Sequence, residues 1–411
     1  MPFLLFNIQE KEARCVRVLQ ALNDRGRRII PSNMTLKELD ELRKKTFYCP
    51  ICKEKVIFRH GPKVIPHFAH QRTSTCTAAK TNESVTHKRA KLQLFHWLQK
   101  QQFPVQLEKY FPAIKQRSDV YVEDKQRKLA LEFQSTVIQT DDFRRRSEGY
   151  KAIGLTPVWL IDRNCLKTVL PFTYRISSRF LPLIETFPEQ EPSKLLFYSA
   201  EQKRLTILTD IHFVTATKLI AFPQDIPLHE ASLDHFFLNR AFPPSTLLKL
   251  WLKEKRHFRL ASYPVYRRER QFRKWLYEKG FYIEQLPAAI HLPIRLQHKM
   301  NVPIWQWQTK LVLNVLHPLP IGNTIHVNRC VNVLLPFVNG KDPNIAREVF
   351  REYMKLLTAG KWFKRKDDNV WLKVRYFRFY RYIEEAVAGD ERFMRHLAQE
   401  MMNDVKRKLH E

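Results

Sequence analysis

The stretch that most restricts the fold is Ser118-Asp-Val-Tyr-Val-Glu, followed after a short loop by Lys128-Leu-Ala-Leu-Glu-Phe-Gln134. The first run is rich in valine, the second in leucine and other apolar residues, and the two read as paired strands. Folded as a hairpin with 124–127 as its loop, they set Asp119 directly opposite Glu132. Val120, Val122, Leu131 and Phe133, with Leu129 beside them, then form an apolar side for a core. Asp119, Glu132 and Gln134 share the other side. Two carboxylates opposed across a ladder repel, at a cost of up to about 1 kcal/mol and more when desolvated. A divalent cation between them reverses that sign. Oxygen ligands select a hard ion, Mg²⁺ or Mn²⁺, and such an ion activates water against a phosphodiester. Asp119 and Glu132 are therefore the candidate catalytic metal ligands.

The segments around the hairpin extend it into a domain. An amphipathic helix is expected from Asn82 to about Gln102. Glu83, His87 and Lys91, spaced four apart, form its polar stripe, while Leu94 and Leu98 cover the sheet. Glu83, in the first turn, either reaches the metal or simply suits the helix dipole. After it come strands in VQLEKYF, SDVYVE and KLALEFQSTVI, a charged helix over 141–152, and a closing strand in TPVWLID near residue 163. This order predicts a compact α/β domain over residues 81–165. The 141–152 helix carries Arg144-Arg-Arg146 and Tyr150. An arginine, taken as Arg144, and the tyrosine are candidate phosphate contacts; a solvated basic face with a core tyrosine is the plainer alternative.

Residues 1–80 hold a different chemistry. Cys49-Pro50-Ile51-Cys52 is followed by His67-Phe68-Ala69-His70 and Cys76. A CxxC turn presents two thiolates to a tetrahedral zinc, and a more distant Cys/His pair completes the shell. In a strand His67 and His70 point to opposite faces, so one histidine is expected to join Cys76. His70 is preferred, with His67 the alternate. Four protein ligands make a structural Zn²⁺ site. Cys15, Cys165 and Cys330 read as small buried hydrophobes. Phe3 to Phe6 is expected to be a buried strand, and LKELDELRKK a helix capped by Ser32 or Asn33.

Residues 166–411 read as a basic, mainly helical region. LLKLWLKEKRHF, RRERQFRKWLYEKG and VRYFRFYRYIEEA interleave cations with aromatics, and Asp342-Pro343 opens a further helix. Arg267 and Arg268 head a row of cations flanking Phe272 and Trp275. Such a row suits a nucleic-acid backbone, or an amphipathic helix whose aromatics are core.

Charge points the same way. Lys and Arg number 71 against 41 Asp and Glu, a formal +30. A polyanion is the usual partner of such a surface, and nucleic acid the usual polyanion. No apolar run approaches the roughly 20 residues of a membrane span, and no basic segment precedes the first apolar run as in a secretion signal. A cytoplasmic location is expected. With only 9 glycines and no glycine-rich phosphate loop, nucleotide hydrolysis of that kind is not expected.

The acidic helix, Asp119 and Glu132-x-Gln134 together resemble the PD-(D/E)xK nuclease core. Over residues 46–163, CPIC, HFAH, ESVTHKRAK, RSDVYV, LEFQST and VWLID resemble the competence protein CoiA family. The resemblance implies a restriction-endonuclease-like α/β/α core in which Asp119 and Glu132 bind metal. Gln134 would occupy the usual lysine position, where a neutral amide stabilises charge less well; Lys91 and Arg117 are the candidate replacements. It also implies a role in natural transformation, on incoming DNA or recombination intermediates, with single-stranded or branched DNA and recombination proteins as partners. The alternative is a non-catalytic DNA-binding accessory on a degenerate nuclease scaffold.

Overall fold

The computed structural model describes residues 17–61, 64–71, 76, 83–124, 126–136, 138–186, 193–261 and 267–409. The strand expected at Phe3 to Phe6, and Cys15, lie outside these residues.

The first unit is a six-stranded sheet of β1 (Arg17–Val18), β2 (Ala21–Leu22), β3 (Arg28–Ile29), β4 (Phe47–Tyr48), β5 (Lys55–Gly61) and β6 (Val64–His70). Phe47, Phe58 and Phe68 fill its core. Helix α1 (Leu36–Leu42) is capped by Thr35, whose hydroxyl accepts from Glu38 N while the Glu38 carboxylate accepts from Thr35 N. This capping box corrects the expected cap. Ser32 and Asn33 sit in a short turn before it and bond instead to the ring of His96.

The second unit opens with α2 (Val85–Lys100). Ser84 caps it by accepting from His87 N at 3.1 Å, which leaves Glu83 just ahead of the cap instead of in the first turn. There follow β7 (Val105–Leu107), the small pair β8 (Tyr110–Phe111) and β9 (Gln116–Arg117), β10 (Val120–Glu123), β11 (Lys128–Gln134), α3 (Thr140–Ala152) and β12 (Thr156–Asp162). Val120 pairs with Leu131 and Val122 with Leu129. Continued by one residue, this register sets Asp119 opposite Glu132, as the alternation predicts. Asp124 closes the loop, accepting from the backbone of Gln126 and Arg127. Val120, Val122, Leu129, Leu131 and Phe133 pack with Leu94 and Leu98 of α2 in one core.

The sheet does not close near residue 163. It takes on β13 (Lys167–Leu170), β14 (Thr173–Arg175), β15 (Lys194–Ser199), β16 (Arg204–Phe213) and β17 (Lys218–Pro227), in the order β13-β14-β17-β16-β15-β12-β11-β10-β7. The buried β12 is not an edge: Leu160 pairs with Leu196 of β15 in parallel. The early part of the region expected to be mainly helical is therefore strand. Phe143 of α3 packs with Trp159 and Phe197 on the second face.

From residue 244 the chain is largely helical: α4 (Pro244–Leu260), α5 (Arg267–Glu278), α6 (Ile304–Leu311), α7 (Val327–Leu334), β18 (Thr324–His326), α8 (Pro343–Ala359), β19 (Phe363–Arg365), β20 (Val370–Lys373) and α9 (Ile383–Leu409). Asp342 caps α8, accepting from Asn344 N at 2.8 Å, with Pro343 in the first turn. One core joins Trp251, Trp307, Phe350 and Leu397; Cys330 is buried in it, whereas Cys165 is only half-buried. VRYFRFYRYIEEA departs from expectation. Residues 374–382 form no helix, because their backbone bonds to neighbours: Val374 N donates to Trp362 O, and Tyr380 N to Gln285 O. The chain is thus a mixed α/β, multidomain protein. Among the described residues no helix is long and apolar enough to cross a membrane.

Candidate active site and metal centre

The start of α2, the end of β7, the approach to β10 and one face of α3 converge on a buried charged cluster. Lys91 is at its centre, fully buried. Its Nζ lies 2.5 Å from Glu83 Oε2, 2.7 Å from Glu108 Oε1 and 3.7 Å from Asp119 Oδ1. Arg117 Nη2 reaches Glu83 Oε1 at 3.2 Å. Asp119 Oδ2 accepts from Phe133 N at 2.9 Å and faces His87 Nε2 at 3.0 Å. Glu132 Oε1 accepts from the Tyr150 hydroxyl and from Arg146 Nη2, the latter at 2.6 Å.

The protonation preferences divide the acids. Burial pushes each carboxyl up. At Asp119, His87 and Lys91 overcome it and hold the group well below the usual carboxylate range. At Glu108 burial is likewise outweighed, by Arg117 and Lys91, and the group falls to about 2. At Glu132 burial wins, and with Asp119 adding to it against Arg146 the group rises to about 7. His87 is raised: burial opposes its charge, but Asp119 favours it. Four carboxylates (Glu83, Glu108, Asp119, Glu132) thus meet three fixed cations (Lys91, Arg117, Arg146), with His87 able to supply the fourth positive charge.

Of the residues singled out in the sequence, Glu83, Lys91, Arg117, Asp119, Glu132 and Tyr150 come together here. Others do not. Gln134 Nε2 turns away to donate to Thr136 O at 2.7 Å. Arg144 is exposed; the arginine that reaches the cluster is Arg146, two residues on and on the inner side of α3. Arg267 and Arg268 stand on α5 in the C-terminal unit, where Arg268 Nη1 donates to Asn301 O at 3.4 Å, and Phe272 is core. Besides Arg146, two participants were not assigned from sequence. His87 was visible in the four-residue spacing from Glu83 and Lys91. Glu108 follows β7 with a left-handed φ of 47°, and no local pattern announces it. Glu83, His87 and Asp119 offer ligand atoms all within 4.8 Å of one another. Glu132 stands outside that trio.

The N-terminal unit carries a second candidate centre. Cys49, Cys52, His70 and Cys76 offer ligand atoms within 4.8 Å of one another. Cys49 Sγ is 4.0 Å from Cys76 Sγ, and Cys52 Sγ is 3.4 Å from His70 Nε2. Tetrahedral bonds of about 2.3 Å to sulfur and 2.0 Å to nitrogen require separations of roughly 3.5–3.8 Å, so the four side chains fit such an ion. Burial opposes ionisation of Cys49, but His70 and backbone donors bring it down to about 7. Burial, Cys76 and Cys49 hold Cys52 up at about 12. A cation is what would let both thiols ionise. Lys53 takes a left-handed φ of 62° to turn the CxxC loop. His67, on the other face of β6, bonds through Nδ1 to Ile65 O at 2.8 Å and is not in the cluster.

Comparison with known families follows the same divisions. The nuclease-like domain of competence protein CoiA matches residues 83–241, its N-terminal domain residues 31–79, and its C-terminal domain residues 248–387. The competence protein CoiA of Bacillus subtilis (strain 168) is 30% identical over 275 residues, which span 66% of this chain and 73% of that protein. No solved structure gives a significant match. Fold and site thus define a multidomain protein built on a nuclease-like domain, preceded by a unit whose Cys/His cluster could hold a metal ion. The chain belongs to the competence protein CoiA family.

Proposed function

We propose that this protein is a divalent-metal-dependent DNA nuclease that processes incoming DNA or recombination intermediates in the cytoplasm during natural transformation. The observation that carries the reading is the meeting of Glu83, His87 and Asp119 within 4.8 Å, with Glu132 opposite Asp119 across the hairpin. The order helix α2, strands β7, β10 and β11, helix α3, strand β12 supports a PD-(D/E)xK-like, restriction-endonuclease-like core. Glu83, His87 and Asp119 would hold Mg²⁺ or Mn²⁺, and Glu132 would stand beside it. The ion, when bound, supplies Lewis acidity at a scissile phosphate. This chain's own residues do the remainder. Lys91 brings to Asp119 the positive charge that Gln134 cannot, fixed by its bonds to Glu83 and Glu108. Glu132, pushed up to about 7, is suited to exchange a proton near neutrality, and Tyr150 with Arg146 orients its carboxyl. The Cys49, Cys52, His70 and Cys76 centre would hold a structural Zn²⁺, and the formal charge of +30 would draw in the DNA backbone.

The test is incubation of the purified chain with single-stranded, duplex and forked DNA under Mg²⁺ and Mn²⁺. Cleavage lost in Asp119→Ala and Glu132→Ala, with DNA binding retained, supports the nuclease. A second reading, a non-catalytic DNA-binding accessory, draws on the near-balance of charge reached without any ion and on the turned-away Gln134. It predicts salt-sensitive DNA binding with no cleavage under either metal.

A further inference from the structure

Buried aromatics in the C-terminal unit are explained by its core; a group of exposed ones is not. Tyr277 is 64% exposed, Tyr282 53%, Tyr376 57% and Tyr382 55%. They lie on two adjoining segments. Tyr277 and Tyr282 flank the turn after α5, their rings 5.7 Å apart. Tyr376 and Tyr382 belong to the non-helical 374–382 segment. Phe281 stacks on Phe379 at 4.7 Å and joins the two.

The segment is held open by design of its neighbours. Phe377 and Tyr380 are buried anchors. Tyr380 lies against Gly389 of α9, where any Cβ would collide with its ring. With Phe377 and Tyr380 pinned inward, Arg375, Tyr376, Arg378, Arg381 and Tyr382 are left facing solvent. Arg378 is 3.8 Å from Glu385, while among the described residues Arg375 and Arg381 have no ion pair. Arg381 sits 5.4 Å from the ring of Tyr382. Exposed tyrosines cost solvation without packing, and a core gives no reason to keep them beside unpaired cations. Rings for stacking interleaved with cations for phosphates are the chemistry that binds unpaired strands without regard to sequence. A duplex hides its base faces and would meet only the cations.

We propose that the 374–382 segment and the turn after α5 form a platform that binds single-stranded DNA by stacking bases on Tyr376, Tyr382, Tyr277 and Tyr282. The proposal rests on the DNA-processing reading for its polymer and deepens it by naming the strand form. It places strand capture on the C-terminal unit, apart from the acidic cluster.

The experiment is fluorescence anisotropy of labelled oligo-dT, oligo-rU and a duplex of equal length, with the full chain in EDTA-free buffer lacking Mg²⁺ and Mn²⁺. Cleavage is then not the readout, and failure of the nuclease reading leaves the result interpretable. Stacking is worth about 1–3 kcal/mol per base, so the Tyr376→Ala/Tyr382→Ala double variant is expected to bind oligo-dT about tenfold more weakly or worse, with duplex affinity unchanged. The Tyr376→Phe/Tyr382→Phe variant keeps the rings and is expected to bind as the wild type does. Circular dichroism melting of each variant checks that the fold is intact. Equal losses on duplex, no loss on oligo-dT, or a loss in the phenylalanine variant equal to that in alanine overturns the proposal. Tighter binding of oligo-rU than oligo-dT overturns it in favour of an RNA strand, and no effect on any oligonucleotide in favour of a protein partner.

Discussion

The ammonium of Lys91 lies 2.7 Å from the carboxylate of Glu108, and both side chains are almost wholly buried. The pair joins α2 to the end of β7, and through Glu83 and Asp119 it ties the start of the helix to the hairpin. Burial alone would discharge Lys91; Glu108 and Glu83 instead raise its affinity for the proton. The cluster is thus a structural element as well as a candidate site.

Lys91→Met should destabilise the chain by about 3–5 kcal/mol, because it leaves Glu83, Glu108 and Asp119 with less compensation in a dry environment. Urea denaturation of the variant and wild type measures it. A change under about 1 kcal/mol would mean that the acids find other partners.

At the Cys/His centre the two histidines should behave differently. His70→Ala should lower the zinc content of the purified protein and shift melting of the N-terminal unit downward. His67→Ala should leave the metal in place. Inductively coupled plasma mass spectrometry reads both, and metal loss in His67→Ala alone would reverse the ligand assignment.

Much of this is legible in the sequence. The register of β10 and β11 follows from alternation, since a slip of one residue would turn Asp119 or Glu132 into the apolar core beneath α2 and the valines toward the charged cluster. That only one of His67 and His70 joins the cysteines follows from strand periodicity, although which one does not. What was missed depended on contacts remote in sequence. Arg146 displaced Arg144 because helix phase against the sheet, not composition, decides which arginine faces Glu132. Glu108 joined the cluster through a left-handed backbone turn. The sheet ran on to Pro227 because β15 covers β12, a parallel pairing that spacing alone does not reveal. The 374–382 segment carries aromatics at helical spacing, yet its backbone is claimed by Trp362 and Gln285.

In the C-terminal unit Arg259 grips Asp390 through Nε and through Nη2, the latter at 2.9 Å, and donates to the carbonyl of Leu286 as well. Asp390→Ala should cost about 3–5 kcal/mol by leaving Arg259 buried without its counter-ion. Thermal denaturation checks this, and an unchanged melting temperature would contradict it.

Lys255, buried next to that pair, is pulled down to about 8 by burial, against the attraction of Asp390. Its value in the unfolded chain is near 10.5, so between these limits the unfolded state binds the proton more tightly. Stability should therefore rise as pH climbs from about 8 to 10.5, and fall on return. The rise should be smaller in Lys255→Met. Denaturation midpoints across that range give the comparison, and parallel curves for the two proteins would rule the effect out.

The proposed nuclease requires Glu83, His87 and Asp119 to grip a hard divalent ion. Calorimetric titration of Mn²⁺ into the wild type and into Asp119→Asn reads that grip. Saturable Mn²⁺ binding in the wild type that disappears in Asp119→Asn, with zinc content equal in both, is the predicted result. Identical Mn²⁺ uptake by the two proteins, or none by either, would contradict it.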